Sequence, residues 1–171
     1  MQTYIALLRG INVGGKNKLP MQELKLLLEK NGLINVQTYI QTGNILFDSN
    51  NFDCDLSQII NKSFGFKPDV LILTKTEFLS SIDNCPFSVD EGKQLHYYFC
   101  KTAPTADLEK MHHIKKDNED FVIIGNVFYL YAPDGIGRSK LAKQAEKLLA
   151  VSCTARNLNT VLKLKDMLSE S

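Results

Sequence analysis

The sequence has no long hydrophobic run and no excess of charge of either sign. No stretch reaches the ~18 consecutive apolar residues of a membrane-spanning helix, and no cationic segment precedes the first apolar run, as in a signal peptide. The 20 Lys and Arg nearly balance the 19 Asp and Glu, giving a net charge of +1. Dedicated nucleic-acid binders rely instead on a basic surface that neutralises phosphates. We therefore expect a cytoplasmic protein that does not act on membranes. Its charge disfavours a nucleic-acid partner but leaves a local basic patch possible.

Residue patterns typical of a metal centre or of a nucleophilic enzyme are also missing. The cysteines form no C-x-x-C pair, whereas zinc sites need ligands at short, paired intervals: they are Cys54, Cys85, Cys100 and Cys153. His112 and His113 are adjacent and would point about 100° apart on a helix. No Ser or Cys has a base within obvious reach in the sequence, so no nucleophile–base pair can be named. The sequence predicts reduced, packed thiols and no metal. It identifies no cofactor and does not decide whether the protein is an enzyme.

Hydrophobic periodicity predicts the same order of elements twice. In the first half, strands are expected over residues 3–9, 35–40, 45–48 and 70–73, with helices opened by Pro20 and Asp55. In the second half, strands are expected over 95–101, 121–124, 127–131 and 152–155, with helices over 106–113 and 139–149. Each half is thus β-α-β-β-α-β, and an additional helix follows each, over 76–82 and 158–168.

An internal repeat supports this duplicated order. Residues 40–47 (IQTGNILF) align with residues 122–129 (VIIGNVFY) at an offset of 82, with the same Gly-Asn pair ahead of an apolar strand. The predicted fold class is α+β, with two ferredoxin-like βαββαβ halves built on antiparallel sheets. Residues 83–92 form the best boundary, which gives halves of 1–86 and 87–171. How the halves pack does not follow from the sequence.

A glycine-rich loop follows the first strand. Residues 10–17 (GINVGGKN) match G-x-x-x-x-G-K, but Asn17 replaces the Ser or Thr of a nucleotide-binding loop and Pro20 delays the helix. Glycines such as Gly14 and Gly15 accept positive φ and can expose N–H groups to an anion. Basic residues flank them: Arg9, Lys16 and Lys18. The alternative is a simple connection with solvated lysines.

A second basic element, residues 154–160 (TARNLNT), joins the last strand to the last helix. Asn157 is a predicted N-cap, and Arg156 beside a helix N-terminus favours an anion. Lys163 lies three residues beyond Thr160, near the same helix face. Alternatively, Asn157 and Thr160 only cap the helix while the cations lie in water.

Taken together, these motifs resemble the bacterial domain of unknown function family 1697. The resemblance rests on residues 4–15, 38–44, 137–141, 154–157 and 160–164, and so extends over the whole chain. It implies a cytosolic, two-part α+β protein without an established activity, and a single site built from the Arg9 and Arg156 loops. The family motif also includes Gly43. Two positions depart from the family pattern: Thr42 replaces Ser, and Leu158 replaces an aromatic residue, often Trp.

The favoured hypothesis is that a small anionic or phosphorylated ligand binds to the Arg9–Lys18 loop and the Arg156–Lys163 helix start. The expected ligand-binding residues are Arg9, Asn12, Gly14, Gly15, Lys18, Asn44, Arg156, Asn157, Thr160 and Lys163. One alternative is nucleic-acid binding on a sheet face, which needs exposed aromatics on the two central strands. The other is a non-catalytic scaffold or regulatory protein. The sequence does not give the oligomeric state.

Overall fold

The computed structural model describes residues 1–170. Their contacts divide the chain into two compact units. Unit 1 holds Met1–Ser80 together with the C-terminal residues from Leu168, and unit 2 holds Ser81–Met167. Within residues 1–170, no helix is long and apolar enough to cross a membrane.

Unit 1 contains the predicted β-α-β-β-α-β order, followed by a further helix. Its elements are β1 (Gln2–Arg9), α1 (Met21–Lys30), β2 (Ile34–Tyr39), β3 (Asn44–Ser49), α2 (Leu56–Phe64), β4 (Asp69–Thr74) and the start of α3 (Lys75–Asp83). The sheet order is β2-β3-β1-β4, and every neighbouring pair is antiparallel. This confirms the predicted topology of the first half.

Local sequence signals fix the helix ends of unit 1. Asp55 accepts a hydrogen bond from the Gln58 N–H at 3.1 Å and caps α2, as its sequence position predicts. The helix ends at Gly65, which has φ +80°, before the Lys67-Pro68 pair. A left-handed residue at this position stops the helix before proline is reached, and glycine adopts it without a steric penalty.

One face of the unit 1 sheet forms the core with α1 and α2. Alternate residues of β1, such as Ala6 and Leu8, pack with Ile45 and Phe47 of β3 and with apolar side chains of both helices. The intervening residues of β1 include Ile5, which has no exposed surface. Burial on both faces explains why this strand appears in the sequence as a continuous apolar run.

Unit 2 repeats the arrangement. Its elements are β5 (Leu95–Cys100), α4 (Leu108–Ile114), β6 (Asp120–Ile124), β7 (Val127–Tyr131), α5 (Lys140–Leu149), β8 (Cys153–Asn157) and most of α6 (Leu158–Glu170), with short 3-10 turns at Gly92–Gln94 and Ile136–Arg138. The sheet order β6-β7-β5-β8 is again wholly antiparallel. Its core joins Tyr98 and Phe128 of the sheet to Met111 of α4 and Leu141 of α5.

The two Gly-Asn turns differ in length. In unit 2, Gly125 and Asn126 alone connect β6 to β7. In unit 1, residues 40–43 form the turn and Asn44 is already the first residue of β3, so the Gly-Asn pair occupies different positions in the two turns. The unit 1 turn is anchored to β1, because Leu8 N donates to the Gly43 carbonyl at 2.8 Å.

Candidate functional site

The glycine-rich loop of unit 1 folds back on itself. Lys16 N donates to the Val13 carbonyl at 3.0 Å, and Asn12 N donates to the Asn17 carbonyl at 3.1 Å. Gly14 and Gly15 lie at the tip with φ of +59° and +74°. The loop therefore resembles a small hairpin, and α1 begins only at residue 21. This geometry differs from a nucleotide-binding loop, whose N–H groups lead directly into a helix.

Asn12 holds the base of this loop. Its Nδ2 donates to the carbonyls of Leu19 and Gln41 at 3.0 and 2.8 Å, and its Oδ1 accepts from Leu19 N at 2.7 Å. Both amide hydrogens are thus used by the backbone. The structure gives this predicted ligand-binding residue a positioning role within the loop.

The loop tip is open and basic. Gly14 and Gly15 are exposed, and no atom would lie within 4 Å of a Cβ added to either. The side chains of Arg9, Lys16 and Lys18 are also exposed. This segment therefore presents three basic side chains to solvent. Its role in binding stays a prediction.

Asn44 adjoins the same region from the neighbouring turn. It is fully buried, and its Nδ2 donates to the Tyr39 carbonyl at 3.0 Å and to Thr42 Oγ1 at 3.1 Å. The hydroxyl of Thr42 serves as an acceptor here, and serine in its place would offer the same group. Because Asn12 Nδ2 donates to the Gln41 carbonyl, two of the predicted motif stretches meet at this turn through a side-chain-to-backbone hydrogen bond.

In unit 2, β8 continues directly into α6. The expected connection over residues 154–160 is absent: the strand extends to Asn157 and the helix begins at Leu158. Asn157 Oδ1 accepts from Thr160 N at 3.0 Å, which confirms the predicted cap. Thr160 is buried and Lys163 is exposed. The strand places the helix N-terminus at a fixed edge of the sheet.

The register of β8 separates Arg156 from Asn157. Asn157 is paired with His96, whereas Arg156 is paired with Tyr97. Directly paired residues lie on the same face of an antiparallel sheet, and successive residues lie on opposite faces. Asn157 and His96 therefore lie on the helix-covered face, with Leu130, and Arg156 lies on the other. The sequence could not show this because the strand was expected to end at residue 155.

Arg156 is half-buried. Its Nη1 donates to the Ala155 carbonyl at 2.8 Å, and burial lowers the pKa of its guanidinium to about 10. The side chain still carries its charge at neutral pH. On its face of the sheet lie the buried Tyr97 and Tyr129, whose ring centroids are 4.8 Å apart.

A cavity of about 420 Å³ lies beside the start of α6. We call it the α6 cavity, and its lining residues are Lys93, His96, Pro133, Asp134, Gly135, Ile136 and Asn157. The turn that carries Lys93 packs closely against the helix, since a Cβ on Gly92 would lie 3.0 Å from the backbone nitrogen of Asn159. Only Asn157 among these residues was expected to bind a ligand.

His96 is the residue that sequence reasoning missed. It is 8% exposed, and its Nδ1 is buried without a hydrogen-bond partner in residues 1–170. Burial lowers the pKa of its imidazole to about 4, so the ring is neutral at physiological pH. A histidine inside the otherwise apolar strand LHYYFC was the available signal, but it lay outside the motif stretches.

Charges at the mouth of the α6 cavity are of both signs. Lys93 pairs with Glu91 at 3.1 Å in an exposed salt bridge. Asp134 accepts a hydrogen bond from Asn118 at 3.1 Å and lies 3.6 Å from Lys116 Nζ, and these neighbours hold the pKa of its carboxyl below its usual value. The charge of Asp134 is therefore balanced by Lys116, which is not among the lining residues.

Metal-ligating residues do not cluster in the part of the chain that the structure describes, where no three His, Cys, Asp or Glu side chains could hold an ion together.

A second cavity in unit 2, of about 550 Å³, has an acidic lining that includes Asp117, Glu119 and Asp120. Such a lining repels anions. The α6 cavity is therefore the better fit to the expected ligand.

Comparison with known proteins identifies the family but no activity. Residues 1–129 match the model of the family described as "Protein of unknown function (DUF1697)". The solved structure of the "conserved bacterial protein SP0830 from Streptococcus pneumoniae" is similar, with 25% sequence identity, a TM-score of 0.71 and 98% of each chain covered. No curated protein matches the sequence. The chain belongs to the DUF1697 family.

Proposed function

We propose that the protein binds a small anionic or phosphorylated ligand. The observation that carries this proposal is the cavity beside the N-terminus of α6, lined by Asn157 of the helix cap and by His96, whose buried Nδ1 has no hydrogen-bond partner in residues 1–170. The first N–H groups of a helix lack intrahelical acceptors and carry a partial positive charge. Anions bind at such positions without further charged groups.

The neighbouring cations add electrostatic attraction. Lys163 is exposed on the first turns of α6, and Lys93 lies in the cavity wall. Arg156 is half-buried on the opposite face of β8. It adds to the positive electrostatic potential of this region without contacting a ligand in the cavity. In this proposal Asn157 and Thr160 belong to the binding element through the capped helix start.

The glycine-rich loop of unit 1 is the second proposed anion-binding element. Its tip exposes Gly14 and Gly15, and Arg9, Lys16 and Lys18 of the same segment are also exposed. Asn12 and Asn44 act here by fixing the backbone. Because Lys18 belongs to this loop and Lys163 to α6, substituting one lysine at a time measures the contribution of each element to anion binding separately.

No observation favours nucleic-acid binding on a sheet face. The aromatic rings of the central strands in unit 2, such as Tyr97 and Tyr129, are buried. In unit 1, Tyr4 stacks on Phe47 with ring centroids 5.4 Å apart, on the helix-covered face. Bases need exposed rings on which to stack.

We also infer that the protein works in the cytoplasm. The four cysteines are thiols, and Cys100 and Cys153 are buried opposite each other on β5 and β8. Thiols in such proximity persist in a reducing compartment.

Thermal unfolding with a panel of anions tests the proposal. The panel contains inorganic phosphate, nucleotides, sugar phosphates and carboxylates, with neutral sugars as controls. A ligand at ~100 times its dissociation constant stabilises the protein by about 2.7 kcal/mol, which raises the melting temperature by roughly 5–10 °C. The variants Lys163→Gln and Lys18→Gln then report which element is involved. If no anion raises the melting temperature of the wild type, the proposal is wrong.

A further inference from the structure

The wall of the α6 cavity contains a polar group without a protein partner. Polar atoms that are buried usually have hydrogen-bond partners, because a buried unsatisfied group costs about 1–3 kcal/mol. His96 departs from this rule while lining a cavity large enough for a small molecule. Nδ1 itself has almost no accessible surface, so a ligand in the cavity contacts it only when the imidazole turns over and exchanges Nδ1 with Cδ2.

Asn157 offers a donor to the same cavity. Its Oδ1 is used by Thr160 N, so the Nδ2 of the carboxamide is the end that can donate to a ligand. Since His96 and Asn157 are directly paired across β5 and β8, their side chains leave the sheet side by side. One ligand can therefore reach both of them and the helix start.

We propose that the α6 cavity binds a small hydroxylated anion, with its phosphate or carboxylate at Asn157 and the start of α6 and its hydroxyl at His96. This assignment rests on the proposed function and names its site and ligand class in unit 2. Arg156 is not a contact residue of this site, because it lies on the other face of β8.

The chemistry of a neutral imidazole explains the hydroxyl. One ring nitrogen is a donor and the other an acceptor, and a hydroxyl group can satisfy either because it both donates and accepts. Pro133 and Ile136 contribute apolar surface to the wall, and the volume of about 420 Å³ suits a metabolite. Lys93, which is paired with the exposed Glu91, also contributes to the cavity wall.

Paired probes test this assignment in calorimetric titrations. Glycerol 3-phosphate is compared with propyl phosphate, and glycerate with propionate, so that the members of each pair share a carbon chain and an anionic group and differ in their hydroxyl groups. We expect the hydroxylated member to bind about 10-fold more tightly, as one additional hydrogen bond permits. In His96→Phe, which keeps a ring and removes both nitrogens, this advantage should disappear. A merely structural role of His96 would leave the ratio unchanged.

Asn157→Asp separates capping from ligand binding. Aspartate caps helices as well as asparagine does, so we expect the unliganded protein to keep its stability. The new carboxylate removes the Nδ2 donor and repels an anion, so glycerol 3-phosphate should bind about 10- to 100-fold more weakly. The control Lys143→Gln removes a positive charge from the exposed face of α5, outside the cavity lining, and should leave the affinity within about twofold.

The outcomes distinguish the site from the general function. If glycerol 3-phosphate binds the wild type and Asn157→Asp equally, the ligand binds elsewhere and the assignment to this cavity is wrong, while anion binding stands. If none of the four anions binds the wild type at millimolar concentration, the assignment to this cavity and this form of the proposed function are both wrong. Weaker binding by Asn157→Asp together with loss of hydroxyl preference in His96→Phe supports both.

Discussion

The buried His96 makes the stability of the protein depend on pH in a defined window. The pKa of its imidazole is about 4 in the folded protein and ~6.5 in an unfolded chain. Between these values the unfolded chain binds more protons than the folded one. Stability therefore falls as the pH is lowered from ~6.5 toward 4, and above ~6.5 the contribution vanishes because both states are neutral.

The size of this effect follows from the pKa shift. Each pKa unit corresponds to about 1.36 kcal/mol, so lowering the pH to ~5 crosses about 1.5 units and costs about 2 kcal/mol through His96 alone. Because the residue is 8% exposed, solvent screening reduces this value little. Carboxylates also contribute to acid destabilisation, so a matched variant is needed to isolate the histidine.

Urea unfolding of the wild type and His96→Phe at pH ~7 and ~5 provides that comparison. We expect the free energy of unfolding of the wild type to fall by about 2 kcal/mol more than that of the variant between the two conditions. His112 and His113 are exposed and present in both proteins, so they cancel. Equal losses in the two proteins would refute the reasoning that burial keeps His96 neutral.

Three substitutions test the motif positions as structural elements. Gly43→Ala should destabilise unit 1 by about 2–4 kcal/mol, because φ is +92° and the new Cβ would lie 2.6 Å from Leu8 Cβ. The control Gly65→Ala, which has free space around it, should cost only about 1 kcal/mol. Equal effects of the two substitutions in urea unfolding would contradict the steric argument. Asn12→Ala should cost about 2–3 kcal/mol, since it removes three hydrogen bonds at the loop base, and a loss below ~0.5 kcal/mol would show that the loop holds itself. Tyr129→Phe removes the 2.5 Å hydrogen bond from the phenol to the Ser81 carbonyl and should lower the free energy of unfolding by about 1 kcal/mol; an unchanged value would contradict its role.

Local signals carried most of the fold prediction. The apolar run of β1, the Pro20 helix start and the cap at Asp55 depend on residues close in sequence. Such short-range chemistry can be recognised without coordinates. The duplicated β-α-β-β-α-β order then restricted the sheet topology to the observed one.

The site was harder to predict because it depends on long-range register. His96 meets Asn157 only through the pairing of β5 with β8, which are about 60 residues apart in the chain. The end of β8 also decides which face Arg156 occupies, and strand ends are the least certain part of a sequence assignment. The cavity therefore became visible only with the sheet in place.

Polar motif residues were misleading for a different reason. Asn12 and Asn44 have side chains suited to ligands, but both use their amide groups to fix backbone turns. Asparagine satisfies local backbone groups readily, especially where φ is positive, as it is for Asn12 at +53°. A motif can thus preserve the shape of a loop without touching a ligand.

Proton NMR of the histidine side chains during titration with glycerol 3-phosphate gives the most direct measurement of ligand binding at the start of α6. The chain has three histidines, and the exposed His112 and His113 serve as internal references for His96. We expect the Cε1–H resonance of His96 to shift and saturate with ligand while the other two remain in place, and Asn157→Asp to require a much higher concentration. A resonance of His96 that does not move at saturating phosphate ester, or one that moves equally in Asn157→Asp, would contradict binding at this cavity.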